Sequence, residues 1–210
     1  MIDKSPVLVL APHTDDGELG CGGLISVCVE QGLEVYYAAF SNAHISLPEG
    51  YPKNTLIKEL NAATRALGIP RKNIFTYDFP VRVFPEKRQE ILQQMINLRV
   101  KIKPQLVLCP SLKDIHQDHQ TISQEALRAF KKQSILSYEQ PWNNLEFSSS
   151  CFIKLEEHHL DKKIEAVKFY KSQEHRPYLS SEAIRSLAVT RGAQLDGGLA
   201  ECYEIVRWML

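Results

Sequence analysis

Val7-Leu8-Val9-Leu10-Ala11-Pro12-His13-Thr14-Asp15-Asp16-Gly17-Glu18 is the stretch that decides the fold. Its first half is a continuous apolar run, the pattern of a strand buried on both faces in a parallel sheet; a strand with one wet face would alternate. Its second half changes abruptly to imidazole and carboxylate groups. In open α/β sheets ligands bind outside the carboxyl ends of the strands, so these groups fall where a site is built. His13 and Asp16, three apart across a strand-to-helix turn, can aim an imidazole nitrogen and a carboxylate oxygen at one ion.

A second polar cluster, Asp114-Ile115-His116-Gln117-Asp118-His119, follows another apolar run, Leu106-Val107-Leu108-Cys109, closed by Pro110. If the two strands are neighbours, their carboxyl ends gather His13, Asp16 and either His119 or His116 around one point. Two imidazoles and a carboxylate are the ligands of a catalytic zinc that keeps one position for water. Gly20, Gly22 and Gly23 then let the following helix pack closely. They do not make a dinucleotide fingerprint, because that loop opens its helix with G-x-G-x-x-G, whereas here acidic groups come first and would repel a pyrophosphate.

Outward from these clusters, strands and helices alternate. Helices are expected over 19–31, stopped by Gly32, then 55–67, stopped by Gly68, 85–101 and 118–132, with strands at 34–40, 74–77, 105–109 and 135–139. Beyond them come a loop at 141–144, a strand at 150–155, helices over 159–172 and 181–191, the last capped by Ser180 or Ser181, and an apolar stretch at 201–209 that suits either strand or helix. Such alternation implies right-handed βαβ units. The expected fold is α/β: a Rossmann-like, mostly parallel sheet with helices on both faces, in a single domain over 1–210.

The 210 residues are 44% hydrophobic, enough for one substantial core, and no Pro-, Gly- or Ser-rich linker divides them. Lys plus Arg equal Asp plus Glu at 25 each, which argues against nucleic-acid binding. No apolar window reaches the ~18 residues of a membrane span, and the first residues lack the charged and apolar regions of a secretion signal. A cytoplasmic protein is expected. Cys21, Cys28, Cys109, Cys151 and Cys202 are scattered and odd in number, which disfavours a disulfide framework or a zinc ribbon.

At His13-Thr14-Asp15-Asp16, Gly20-Cys21-Gly22-Gly23 and His116-Gln117-Asp118-His119 the chain resembles the PIG-L/LmbE-like family of zinc-dependent de-N-acetylases, whose signature is a His-Pro-Asp-Asp stretch and a distant His-x-Asp-His. The likeness extends to Ser134–Asn144 and to the region from Arg191-Gly192 to Glu201. It implies His13, Asp16 and His119 as metal ligands, Asp15 as general base, and His116 as the group assisting the tetrahedral intermediate. Asp118 would orient or charge-pair a neighbouring His, and His116 would be charged if Asp118 or Asp114 lies beside it. The cofactor implied is Zn2+, or another divalent metal such as Fe2+. The substrate implied is an N-acetylglucosamine-type amino-sugar conjugate, and the assembly a trimer or hexamer. Thr14 departs from the family's Pro, Gly17 from a frequent acidic residue, and Leu56 from a common Arg one turn before Glu59.

Hydrolysis of an amide suits this set, since a zinc-bound water ionises near pH ~7 instead of ~15.7 and a carboxylate can take its proton. An Fe(II) oxygenase would use the same two imidazoles and a carboxylate, but such sites favour all-β scaffolds. A sugar- or nucleotide-binding module without activity would not need Asp15. His44, His158, His159 and His175 lack a carboxylate at ligand spacing and are expected to be solvated or packed. Arg176, Arg191, Tyr138 and Trp142 are secondary candidates for substrate contact.

Overall fold

The computed structural model describes residues 4–209. Seven strands form one sheet: β1 (Val7–Ala11), β2 (Val35–Ala39), β3 (Ile74–Thr76), β4 (Leu106–Pro110), β5 (Ser134–Tyr138), β6 (Cys151–Leu155) and β7 (Leu199–Arg207). Their order is β3-β2-β1-β4-β5-β7-β6. The first five run parallel, while β7 pairs antiparallel with both β5 and β6. The stretch left undecided by its sequence is thus a strand, and the sheet is mixed at that edge.

Helices α1 (Asp16–Glu30), α2 (Thr55–Ala66), α3 (Arg88–Ile102), α4 (Gln117–Ala129), α5 (Glu157–Val167) and α6 (Ser181–Ala193) cover both faces. The period-2 geometry of β1 sends Val7, Val9 and Ala11 into one apolar cluster with Leu24, Leu60 and Leu160, and Leu8 and Leu10 into another with Met95, Leu98 and Ile122. All five β1 side chains are fully buried, as their unbroken apolar run requires.

Several ends differ from expectation for local reasons. α1 begins three residues early, because Asp15 already takes the N-cap position. The segment before α3 is a 3-10 turn, Phe84–Lys87, with Pro85 at its start. α5 ends at Val167 and does not reach Ser172, where a separate 3-10 turn, Lys171–Gln173, forms. α6 is capped by Ser180, whose hydroxyl accepts from the Ala183 N–H.

α1 is broken inside. Cys21 leaves helical geometry at φ −144°, ψ 24°, and the break frees backbone N–H groups that need partners. Glu201 on β7 supplies them: its two carboxylate oxygens accept from the Gly23 and Leu24 N–H groups at 2.8 and 2.7 Å. Lys163 on α5 and the Tyr203 hydroxyl complete its shell, each at 2.6 Å. Gly23 is glycine for close approach, since a Cβ there would lie 2.9 Å from a Glu201 oxygen. Gly20 likewise meets the Tyr138 ring of β5, 2.2 Å from an ideal Cβ.

Candidate metal centre and active-site cleft

β1 and β4 are parallel neighbours, and the strand order reverses between them, with β2 and β3 on one side and β5 on the other. Such a switch point opens a crevice at the strand ends, and both polar clusters lie in it. A cleft of about 270 Å³ is lined there by His13, Asp15, Asp16, His116 and His119, among others.

Three atoms face one another: His13 Nδ1 and Asp16 Oδ2 are 3.1 Å apart, His119 Nε2 and Asp16 Oδ2 3.4 Å, and His119 Nε2 and His13 Nδ1 3.3 Å. Ligand atoms about 2.0–2.2 Å from a tetrahedral ion are separated by roughly 3.3–3.5 Å, so the triangle fits an ion of the zinc type. The His116 ring also lies within reach, and His13, His116 and His119 together offer nitrogens within 4.8 Å of one another.

The outer nitrogens of two rings are held by carboxylates. His13 Nε2 lies 3.0 Å from Asp118 Oδ2, and His119 Nδ1 lies 2.8 Å from Asp114 Oδ2. An acid behind each imidazole fixes ring orientation and tautomer at metal centres. Asp118 also accepts from the Arg82 and Phe84 N–H groups at 2.6 and 3.3 Å. Asp16 turns Oδ1 to the Gln140 amide at 2.9 Å and takes the His13 N–H on Oδ2 at 2.7 Å.

The electrostatics follow. Burial opposes charge on His13, but the Asp118 and Asp16 carboxylates outweigh it and raise its pKa to about 10. Despite burial, the charges of His119 and His13 hold the Asp16 carboxyl well below the usual range. Burial, then the Asp16 charge, push Asp15 up to about 6. Asp15 sits in the cleft with no side-chain cap bond to its own helix.

His116 differs from expectation. Asp118 bonds the His13 ring and Asp114 bonds the His119 ring, so neither carboxylate is spent on the His116 imidazole. Its Nδ1 instead accepts the Asp118 N–H at 3.2 Å as the cap of α4. Burial, then the charges of His119 and His13, lower its pKa to about 4. Because Nδ1 accepts, the neutral form of this ring carries its proton on Nε2.

Behind the cleft, the Thr14 carbonyl accepts from the Tyr37 and Tyr170 hydroxyls at 2.9 and 2.6 Å, and Glu18 lies between the same two phenols. Leu56 lines the cleft and is buried. Trp142 stacks on Tyr178 at the rim, centroids 4.2 Å apart and planes 11° from parallel, while Arg176 reaches the cleft and Arg191 does not, being paired with Glu139. Tyr138 is fully buried, its hydroxyl donating to the Leu10 carbonyl.

His158 and His159 do have a carboxylate beside them, Glu30, at 2.9 and 2.6 Å from their Nε2 atoms. Sequence spacing missed it because Glu30 comes from the far end of α1. This grouping is a helix cap more than a metal centre: His159 Nδ1 accepts the Glu156 N–H, which leaves the proton on the nitrogen an ion would need.

Comparison with known proteins bears on the same residues. The family described as GlcNAc-PI de-N-acetylase (PIG-L) matches residues 8–130, which contain both polar clusters. The chain belongs to this family. The diacetylchitobiose deacetylase of Thermococcus kodakarensis is 26% identical over 113 residues, 51% of this chain but only 41% of that protein's length. Among solved structures, a conserved protein of Thermus thermophilus superposes with a TM-score of 0.78 at 28% identity, covering 100% of this chain and 97% of the other. The 4-carboxy-2-hydroxymuconate hydratase of Pseudomonas putida reaches 0.79 at 22% identity, covering 98% of each. At 22% identity the likeness to that hydratase shows the fold alone.

Proposed function

We propose that this chain is a metal-dependent N-deacetylase that removes the acetyl group of an N-acetylglucosamine-type amino-sugar conjugate, releasing acetate and a free amine. The observation carrying the reading is the triangle of His13 Nδ1, Asp16 Oδ2 and His119 Nε2, with edges of 3.1–3.4 Å, beside Asp15 in the same cleft. The family match and the likeness to a diacetylchitobiose deacetylase favour deacetylation over hydration.

His13, Asp16 and His119 would hold the ion, zinc or another divalent metal such as Fe2+. When bound, it lowers the pKa of water toward ~7 and polarises the acyl oxygen. Asp15 takes the proton from the attacking water and returns it to the departing amine; its acid form, pushed up toward neutrality, makes both transfers accessible. His116 donates Nε2–H to the oxygen that gains charge as the carbonyl becomes tetrahedral, a contact worth about 3–4 kcal/mol in comparable oxyanion sites. A neutral donor suffices for this role. Asp118 and Asp114 keep the His13 and His119 rings turned toward the ion.

No helix among the described residues is long and apolar enough to cross a membrane. Five unpaired cysteines fit the reducing cytoplasm, where we place the protein. The test is elemental analysis of the purified protein together with acetate release from N,N'-diacetylchitobiose and methyl N-acetylglucosaminide. About one divalent ion per chain, lost in His119→Ala together with acetate release, is the expected result. A metal-free chain after reconstitution would point to a binding module.

A further inference from the structure

Glu18 is fully buried, yet no Lys, Arg or His pairs with it among the described residues; its two oxygens meet phenols instead, Tyr37 at 2.6 Å and Tyr170 at 3.0 Å. A buried acid without a cation is costly, and an apolar side chain would fill the place without that penalty. The three side chains converge on the turn that carries Asp15 and Asp16. Both hydroxyls reach the Thr14 carbonyl, at 2.9 and 2.6 Å, and the Tyr37 oxygen accepts the Gly17 N–H at 3.1 Å. Thr14 and Gly17 bracket the two acids, so the turn is held at both ends from behind. Gly17 leaves room for this: an ideal Cβ there would stand 2.4 Å from the Tyr37 ring.

The two acids depend on this turn unequally. Asp16 has tethers of its own, the Gln140 amide at 2.9 Å on Oδ1 and the His13 N–H at 2.7 Å on Oδ2. Asp15 makes no cap bond with its side chain, so the backbone between Thr14 and Gly17 sets where its carboxylate points. The cleft wall is tethered separately as well. Ser172, two residues after Tyr170, donates its N–H and hydroxyl to Glu59 of α2 at 2.9 and 2.7 Å, and Gln173 and Arg176 beyond it line the cleft.

We propose that Glu18, Tyr37 and Tyr170 are positioning residues: a buried clamp that holds the Thr14–Gly17 turn so that the Asp15 carboxylate meets the attacking water. This rests on the deacetylase reading. None of the three lines the cleft, so they act through Asp15 and not on substrate or ion. Misplacing a reacting group by ~1 Å can cost about 10²-fold in rate. Loosening the clamp therefore falls on kcat, while the separate tethers of Asp16 and of the cleft wall spare metal binding and KM.

The experiment compares the metal-loaded wild type with Tyr170→Phe, Tyr37→Phe, Glu18→Gln and a control, Tyr203→Phe, which deletes another buried hydroxyl, one that bonds Glu201 away from the turn. Acetate release from N,N'-diacetylchitobiose gives kcat and KM per folded chain, elemental analysis gives the bound ion, and amide hydrogen exchange gives the protection of residues 14–18. Tyr170→Phe and Tyr37→Phe are expected to lose about tenfold to a hundredfold in kcat, with metal content and KM near wild type and faster exchange at 14–18. Glu18→Gln, whose amide offers an acceptor to one phenol and a donor to the other, should keep most of the rate. Tyr203→Phe should match wild type in kcat and in exchange at the turn. Wild-type kcat in both clamp variants, a loss no greater than that of Tyr203→Phe, or loss of the ion in Tyr170→Phe would overturn the proposal. If the wild type releases no acetate, the deacetylase reading falls and exchange decides the clamp by itself. Unchanged protection at 14–18 in both clamp variants then overturns it; faster exchange there, absent in Tyr203→Phe, upholds it as the device that fixes the turn.

Discussion

His119 Nδ1 lies 2.8 Å from Asp114 Oδ2, so the acid that orients this imidazole comes from five residues earlier, across the turn that starts α4. The other Asp114 oxygen accepts the His116 N–H at 2.8 Å. One carboxylate therefore sets both the loop and the ring.

Asp114→Asn should keep the fold but let the His119 ring turn. Loss of such an outer partner costs about 10–100-fold in metal affinity. Competition with a chelator of known affinity measures it; an affinity equal to wild type would mean that Asp114 serves the loop alone.

Asp15→Asn and His119→Ala should fail differently. The first is expected to retain metal and lose about 10²–10⁴ in kcat, the contribution of a positioned general base. The second should lose metal as well. Unchanged turnover in Asp15→Asn would remove it from the proton path.

His116→Ala should lower kcat by about 10²–10³, the loss seen when one oxyanion donor is deleted. His116→Gln, which retains an N–H donor of similar reach, should recover part of it. Equal loss in both variants would indicate that capping α4, not donation to the acyl oxygen, is the role of His116.

Glu201→Ala strips the buried Lys163 of its partner and leaves the Gly23 and Leu24 N–H groups unpaired. Breaking a buried pair in this way costs about 3–5 kcal/mol. Urea titration of the metal-free protein would show the lower midpoint, and a change below ~1 kcal/mol would mean that water replaces the carboxylate at no great penalty.

Gly192→Ala tests backbone packing. An ideal Cβ at residue 192 of α6 would stand 1.9 Å from the Gly198 carbonyl oxygen, so the helix or β7 must shift. Overpacking costs about 1–3 kcal/mol where side chains can move, and backbone yields less easily. A melting temperature equal to wild type would show that the 194–198 loop absorbs the change.

The parallel half of the fold was legible because β1 and β4 are buried on both faces and written as unbroken apolar runs that end in polar clusters. The antiparallel edge was not. β7 carries alternating environments, Tyr203 buried and Ile205 exposed, and its charged Glu201 is inside because Lys163 and two backbone N–H groups meet it there. His13, Asp16 and the pair His116 and His119 were named from their spacing, with the choice between the two imidazoles and the role of Asp15 coming from the family resemblance, but the state of His116 was not legible, since its Nδ1 partner is a backbone N–H. Gln140, which holds Asp16, and Glu30, which holds two histidines, each come from another element more than a hundred residues away, and no local pattern announces such partners.

The break in α1 also orders events in time. The turn bearing Asp15 and Asp16 leads into a helix whose second half is anchored by Glu201, 178 residues downstream of Gly23. Contacts of such sequence separation form late, after the cost of closing the intervening chain. During synthesis the first polar cluster emerges long before its anchor, so the second half of α1 gains its Glu201 partner only once β7 has joined the sheet. A chain arrested before β7 would therefore carry the turn of Asp15 and Asp16 on a helix whose second half still lacks its carboxylate anchor.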